Sequence, residues 1–371
     1  MKIGILQTAY KKAEDYGKFY NVQELGLARA LAANGQEVIL YKAVDGESRE
    51  YKEECGNLTV KLVGVKFLGI NGLFDVNVLD SSLDALIYFS DTQMVVPKIF
   101  KWCVKNKVAF YPYVGVMESH SESGIKREIM QFFIKRNLKV YKKCSLFVKT
   151  PEIGEYFKRM GCRNLKLLSV GLDETVMNCD DVIQNESGLS ECFNLLFIGR
   201  MEEEKHPLEM LTIYEKLISG GDSYSLTMIG DGYMFDEVYT AAVILRKKYD
   251  LPAERLNVIR KVPYEEMHKY YRNADIYINL NRVEILGMSI LESMYYKCPV
   301  IAVKAPGPKY ILRDEYGIIA QDADDILEKI RKVSENYTDY EDMTENAYQH
   351  VKSEFTWEAI SGKILREIQG R

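Results

Sequence analysis

An apolar run, Ile276–Leu280, ends in a polar turn that carries Glu284 and Gly287. Helical spacing resumes at Ser289, with Glu292 close behind. This order suits a phosphorylated, hydroxyl-bearing ligand. A helix start offers N–H groups and a partial positive charge to a phosphate or a sugar hydroxyl. Gly287 lets the backbone come close to a ligand. Glu284 would hang before the helix, and the Glu292 carboxylate could accept two hydroxyl hydrogens, as a ribose presents them. Acids are favoured at any helix N-terminus on electrostatic grounds alone, so these two gain weight only in company.

That company stands after another strand. GRMEEEKH, residues 199–206, follows the apolar run Leu195–Ile198 and places Arg200 and Lys205 at its carboxyl end. Two cations there could neutralise a diphosphate without a metal. Glu202, Glu203 and Glu204 lie between them, and the same composition also makes an ordinary solvated loop. IGDGY, residues 229–233, adds a third strand-to-helix turn with glycines, short of the full dinucleotide fingerprint. The chemistry that fits is departure of a diphosphate from an anomeric carbon. Aimed cations in a water-poor site stabilise the charge that develops on such a leaving group.

These turns need a scaffold, and the chain supplies two. Its 371 residues exceed one ordinary domain. With 47% apolar and 28% charged residues the composition is globular. Strand-like and helix-like segments alternate: Ile3–Leu6, Val22–Ala33, Val38–Tyr41, Ala85–Phe89, a helix around Gln93–Lys105, Val108–Tyr113, Cys144–Thr150 and a helix after Pro151. The region Gly46–Asp75 reads as short strands. Residues 173–192 are polar and break the rhythm, which then restarts at Leu195 and runs to Val303. The pattern predicts an α/β fold of two doubly wound domains, 1–172 and 173–355, with ligands beyond the carboxyl ends of the strands and a cleft between facing domains. The seven cysteines show no CxxC pair and read as reduced thiols. DAD at 322–324 invites comparison with a metal-binding DxD. It follows the strand Gly317–Ala320 and opens a helix, so Asp324 reads as an N-cap.

Taken together, GRMEEEK, IGDG, VPYEEMHKYYRNADIYI (residues 262–278) and EILGMSILE (residues 284–292) resemble glycosyltransferase family 4 of the GT-B superfamily. GLDE at 171–174 resembles that family's entry to the second domain. FTWEAISGKILREI at 355–368 resembles its closing helix, which returns to the first domain; 356–371 is accordingly assigned there. The resemblance implies two facing Rossmann-like domains and a retaining transferase using a nucleotide-diphosphate sugar, with UDP-sugar favoured over GDP-sugar and neither cofactor nor bound metal. It implies that Arg200 and Lys205 bind the donor diphosphate and that Glu292 holds the ribose. Glu284 would contact the sugar, and the backbone at Leu286, Gly287 and Met288 would contact sugar or phosphate. Ile285 and Leu286 depart from the family's usual Gly-Phe.

In the first domain the resemblance makes His120, in the loop after Tyr113, the catalytic candidate facing the transfer point, with Glu118 competing. Gly17 stands in for the family's Gly-Gly loop by the donor. Residues 124–143 hold seven Lys/Arg and one acid among Ile129, Phe132, Phe133 and Val140. Such a basic amphipathic helix can lie on an anionic membrane, and the same pattern also makes a solvated cytosolic helix. The expectation is a cytoplasmic protein, peripheral on the inner leaflet, with a glycan or lipid-linked acceptor from cell-surface polysaccharide or glycolipid synthesis. No nucleic-acid recognition motif accompanies the charge. A GT-B-shaped nucleotide-sugar epimerase and a non-catalytic nucleotide-binding scaffold are the competing readings.

Overall fold

Runs such as Ala85–Phe89 and Val300–Val303 lack any polar alternation, which marks parallel strands covered on both faces. Both are wholly buried strands with these bounds. The computed structural model describes residues 1–16, 22–53, 56–116, 124–177, 192–221 and 223–370. The chain forms two compact units, Met1–Asp173 with Glu354–Arg371, and Glu174–Ser353.

In the first unit the order is β1 (Lys2–Gln7), α1 (Gln23–Ala33), β2 (Glu37–Val44), β3 (Arg49–Lys52), β4 (Leu58–Gly64), β5 (Phe67–Leu68), β6 (Asn71–Gly72) and β7 (Ala85–Phe89). It continues with α2 (Val96–Asn106), β8 (Ala109–Val114), α3 (Gly124–Tyr141), β9 (Leu146–Val148), α4 (Pro151–Arg159) and β10 (Leu165–Leu167). The sheet runs β10-β9-β8-β7-β1-β2-β4-β3, parallel except for the edge strand β3. The region Gly46–Asp75 holds short strands, as expected, but the bounds of three of them carry no sequence signal. All four residues of β3 are exposed, so no apolar period marks them. The strands of the β5–β6 hairpin are two residues each, too short for a period at all.

The second unit runs β11 (Phe193–Ile198), α5 (Pro207–Ile218), β12 (Tyr224–Ile229), α6 (Phe235–Tyr249), β13 (Leu256–Ile259), α7 (Met267–Asn273), β14 (Ile276–Asn279) and α8 (Met288–Tyr295). It ends with β15 (Val300–Val303), α9 (Pro306–Leu312), β16 (Ile318–Ala320), α10 (Ala323–Glu335) and α11 (Glu341–Glu354). Its parallel sheet has the order β13-β12-β11-β14-β15-β16. Strand order therefore reverses between β11 and β14. The N-cap expected at Asp324 is corrected to Asp322. Asp322 keeps an extended backbone, and its carboxylate accepts from the Asp325 amide at 3.0 Å. Asp324 lies inside the first turn and pairs with Lys216 at 2.8 Å.

The closing helix, α12 (Trp357–Ile368), belongs to the first unit. Thr356 caps it, accepting from the Ala359 amide at 3.2 Å. The Trp357 amide donates to Leu172 O at 3.0 Å, and Glu367 takes Lys166 and Ser145 at 2.9 and 2.8 Å. The Trp357 indole, 1% exposed, lies over Gly26 of α1, where a Cβ would overlap it. Gly26→Ala should therefore destabilise the first unit by about 1–3 kcal/mol, the usual cost of overpacking a fixed core. Urea unfolding followed by tryptophan fluorescence reads this; an unchanged midpoint would show that the indole moves freely.

Candidate functional site

Ligands of open parallel sheets bind outside the carboxyl ends of the strands where strand order reverses. In the second unit that crevice lies between β11 and β14, and the two turns singled out by their chemistry leave from these strands. After β11 come Gly199, Arg200 and one turn of 3-10 helix, Glu203–Lys205; His206, at φ 54°, swings the chain into Pro207 at the start of α5. After β14 the turn is knitted by asparagines. Asn279 Oδ1 accepts from the Asn281 amide and Asn281 Oδ1 from the Val283 amide, both at 3.0 Å. Asn281 Nδ2 then donates to Glu284 Oε2 at 3.1 Å.

Lys205 joins the turns, its Nζ 2.6 Å from Glu284 Oε2. The two side chains are 19% and 15% exposed, so the pair is reachable yet mostly out of water. Arg200 is held differently. Its side chain is 61% exposed and is paired with Glu202, with Glu204 4.0 Å away. Glu202 and Glu204 thus face Arg200 and leave Lys205 to Glu284.

A second bridge between the same turns was not legible in the sequence. Arg282 grips Glu209, in the first turn of α5, with bonds of 2.8 and 2.7 Å. Glu209 also faces His206 Nδ1 at 3.4 Å. The guanidinium holds the Glu209 carboxyl below its ordinary value, while burial, helped by Arg282, pushes the His206 imidazole down. Residues so far apart in the chain leave no spacing signal.

The glycines of the site have distinct tasks. Gly287 adopts φ 94° and starts α8 with no side-chain cap; its carbonyl takes the Ile290 amide at 3.1 Å, which leaves the N–H groups before Ile290 to whatever lies beyond. Gly307 donates its amide to Glu284 O at 2.7 Å, and a Cβ there would lie 2.5 Å from Leu286 O. The Leu286–Met288 backbone is thereby seated on the start of α9. Gly230, at φ 154°, packs so closely on Gly199 O that a Cβ would overlap it. The IGDG turn supports the Arg200 turn, backbone on backbone: Gly199 N donates to Ile229 O at 3.0 Å and Met201 N to Asp231 O at 2.9 Å.

Glu292 lies one turn into α8 and is 5% exposed. It accepts from Tyr271 OH at 2.7 Å and Tyr264 OH at 3.3 Å, hydroxyls that come from the VPYEEMHKYY stretch. Burial pushes its carboxyl up to about 7, with the two tyrosines opposing. A carboxylate has about four acceptor positions, so two remain for further hydroxyls. Beside it, the Tyr277 and Ser289 hydroxyls are hydrogen-bonded to each other at 2.6 Å. Gly17 and His120 lie outside the described residues.

Residues 181–350, nearly the whole second unit, match the family model described as Glycosyl transferases group 1. A 110-residue stretch is 30% identical to a probable sucrose-phosphate synthase of Thermosipho melanesiensis, covering 28% of this chain and 25% of that protein. An uncharacterized glycosyltransferase of Methanocaldococcus jannaschii is 24% identical over 243 residues, 60% of this chain and 66% of its own length. The alignments thus span a quarter and just under two thirds of these two relatives. Among solved structures, HepE of Anabaena in complex with UDP and glucose shares the fold along the full length of both chains, with a TM-score of 0.68 at 12% identity. The second unit carries the sequence pattern of group 1 glycosyl transferases, on an α/β fold shared with solved glycosyltransferases.

Proposed function

We propose that the chain is a retaining glycosyltransferase that takes a sugar from a nucleotide-diphosphate donor without a bound metal and passes it to an acceptor of cell-surface polysaccharide or glycolipid synthesis. The observation that carries this reading is the Lys205–Glu284 pair across the β11/β14 crevice, with the Glu292 carboxylate buried in the helix that starts beside it. The family match over this unit favours glycosyl transfer, and the UDP and glucose held by HepE favour a UDP-sugar. The Lys205 ammonium has three donors and keeps two for a diphosphate while still bonded to Glu284. Arg200, on the exposed rim, brings a second positive charge. The start of α8 turns backbone N–H groups to sugar or phosphate, and Glu292 takes the ribose hydroxyls. As the anomeric C–O bond breaks, its electron pair passes to the diphosphate, and the aimed cations stabilise that charge.

Thermal shifts with UDP, GDP and ADP in EDTA test the reading. A ligand at about 100 times its Kd adds about 2.7 kcal/mol, which moves the midpoint by several degrees. The expected result is a shift with UDP that Glu292→Ala abolishes. A shift that requires a divalent ion, or that survives Glu292→Ala, would overturn the site assignment. Release of UDP together with a glycosylated acceptor distinguishes transfer from epimerisation, which needs no acceptor.

A further inference from the structure

The apolar side chains that the first unit leaves in water are concentrated. The β5–β6 hairpin and the segment after it expose Leu68, Ile70, Leu73 and Val78 by 40–61%, and Asp75 is the one charged residue between Phe67 and Val78. Tyr10, 43% exposed, sets its ring edge-on to Phe67 at 5.0 Å. Isolated apolar side chains on a surface are ordinary; a contiguous group marks an interaction site.

The hairpin is fastened on two sides. Gly72 N donates to Thr8 O and Tyr10 N to Ile70 O, both at 3.0 Å, which fixes it beside the carboxyl end of β1. Asn71 Oδ1 accepts from Met94 N at 2.9 Å, and Met94 O accepts from Arg136 Nη2 at 2.5 Å. Gln93 O accepts from Asn137 Nδ2 at 3.0 Å. Arg136 and Asn137 belong to α3, so hairpin and helix grip the same short turn. One and two turns back from Arg136, α3 exposes Phe132 by 61% and Ile129 by 50%. Lys135 and Lys139, also exposed, continue that face at helical spacing. Two apolar points are thus held together beside a cationic stripe.

We propose that the hairpin Phe67–Gly72 and α3 dock the first unit on an anionic bilayer. Leu68 and Ile70 from the hairpin and Phe132 from the helix enter the boundary of the hydrocarbon, while Lys135 and Lys139 meet headgroup phosphates. Neither element suffices alone, since stable attachment to a bilayer surface takes an apolar and a basic signal together. The hairpin borders the carboxyl edge of β1, where ligands of a parallel sheet bind. A lipid-borne acceptor would therefore present its head group at that edge. The choice of acceptor rests on the transferase reading; the docking does not.

Sedimentation of the full chain with phosphatidylcholine vesicles, with and without phosphatidylglycerol, tests this. The chain should bind the anionic vesicles at low salt and stay in solution with the neutral ones. The double changes Leu68→Asp with Ile70→Asp, and Lys135→Glu with Lys139→Glu, should each weaken binding about tenfold or more. Both variants should melt as the wild type does and keep its response to UDP. If the hairpin variant melts early, Phe132→Ser carries the same test from the helix. Wild type left in the supernatant with anionic vesicles, or a hairpin variant that sediments like wild type, would overturn the proposal. So would a dimer of the chain that the hairpin change dissolves. Vesicle binding without any UDP response would count against the donor site alone.

Discussion

Lys205→Ala should lower kcat by about a hundredfold to a thousandfold, roughly 3–4 kcal/mol of lost transition-state stabilisation, the range for removing one aimed donor at a developing anion. The reasoning starts from position. Lys205 bridges the turns after β11 and β14 through Glu284, and its 19% exposure makes its charge act in poorly screening surroundings. Ground-state affinity for the intact UDP-sugar should fall much less than the rate, because charge on the diphosphate grows as the anomeric bond breaks. Arg200→Ala should cost less, since that guanidinium sits in water and already serves Glu202. Initial rates of UDP release, with affinity for the UDP-sugar from titration calorimetry in the absence of acceptor, separate the two effects. A kcat within twofold of wild type for Lys205→Ala would remove Lys205 from the leaving-group site. The double change with Glu284→Ala should fall short of the sum of the singles, as it does for groups in direct contact.

Glu292→Gln should make the ligand-free protein more stable above pH 7 and at the same time weaken its hold on UDP. Folding raises the Glu292 carboxyl from 4.5 to about 7, chiefly by burial. The folded chain therefore binds this proton more tightly than the unfolded chain does. The stability that Glu292 contributes is fully present below pH 4.5 and is lost as the pH climbs to about 7, an amount on the order of 3 kcal/mol. Glutamine stays neutral throughout, so the variant should lack that decline. Ribose hydroxyls favour the ionised carboxylate, so UDP binding should release protons between pH 5 and 7 and tighten across that interval. Calorimetry in buffers of different ionisation enthalpy measures the proton count. Urea midpoints at pH 5 and 8 measure the stability. A variant with wild-type pH dependence, or wild-type UDP affinity, would show that Glu292 is a bystander in the core of α8.

Much of this arrangement was legible in the sequence, and what escaped did so for definable reasons. Strands buried on both faces, such as Ala85–Phe89 and Val300–Val303, are continuous apolar runs bounded by turn residues, so their limits could be read directly. The edge strand β3 and the hairpin could not, because exposure and brevity erase the period. At the site, Lys205 and Glu284 were recognisable from their places after two strands, whereas their mutual contact depends on the order β11-β14 in the sheet. Arg282–Glu209 depends on the same adjacency and had no local mark. Tyr264 and Tyr271 were visible as part of a motif, but their service to Glu292 needed α7 beside α8. The cap of α10 shows the opposite limit. In DAD either aspartate satisfies the rule for an N-cap, and the extended backbone of Asp322 decides.

The return of α12 to the first unit also bears on how the protein is made. A ribosome adds roughly 5–20 residues per second, and domains ordinarily fold as they emerge. The second unit is one continuous segment and can follow that rule. The first unit cannot, because α1 leaves the ribosome tens of seconds, at that rate, before Trp357 exists to cover Gly26. Until α12 emerges, the groove along α1 that receives the indole stays open. Chains stalled before residue 357 should therefore be the ones that chaperones retain and proteases cut within the first unit.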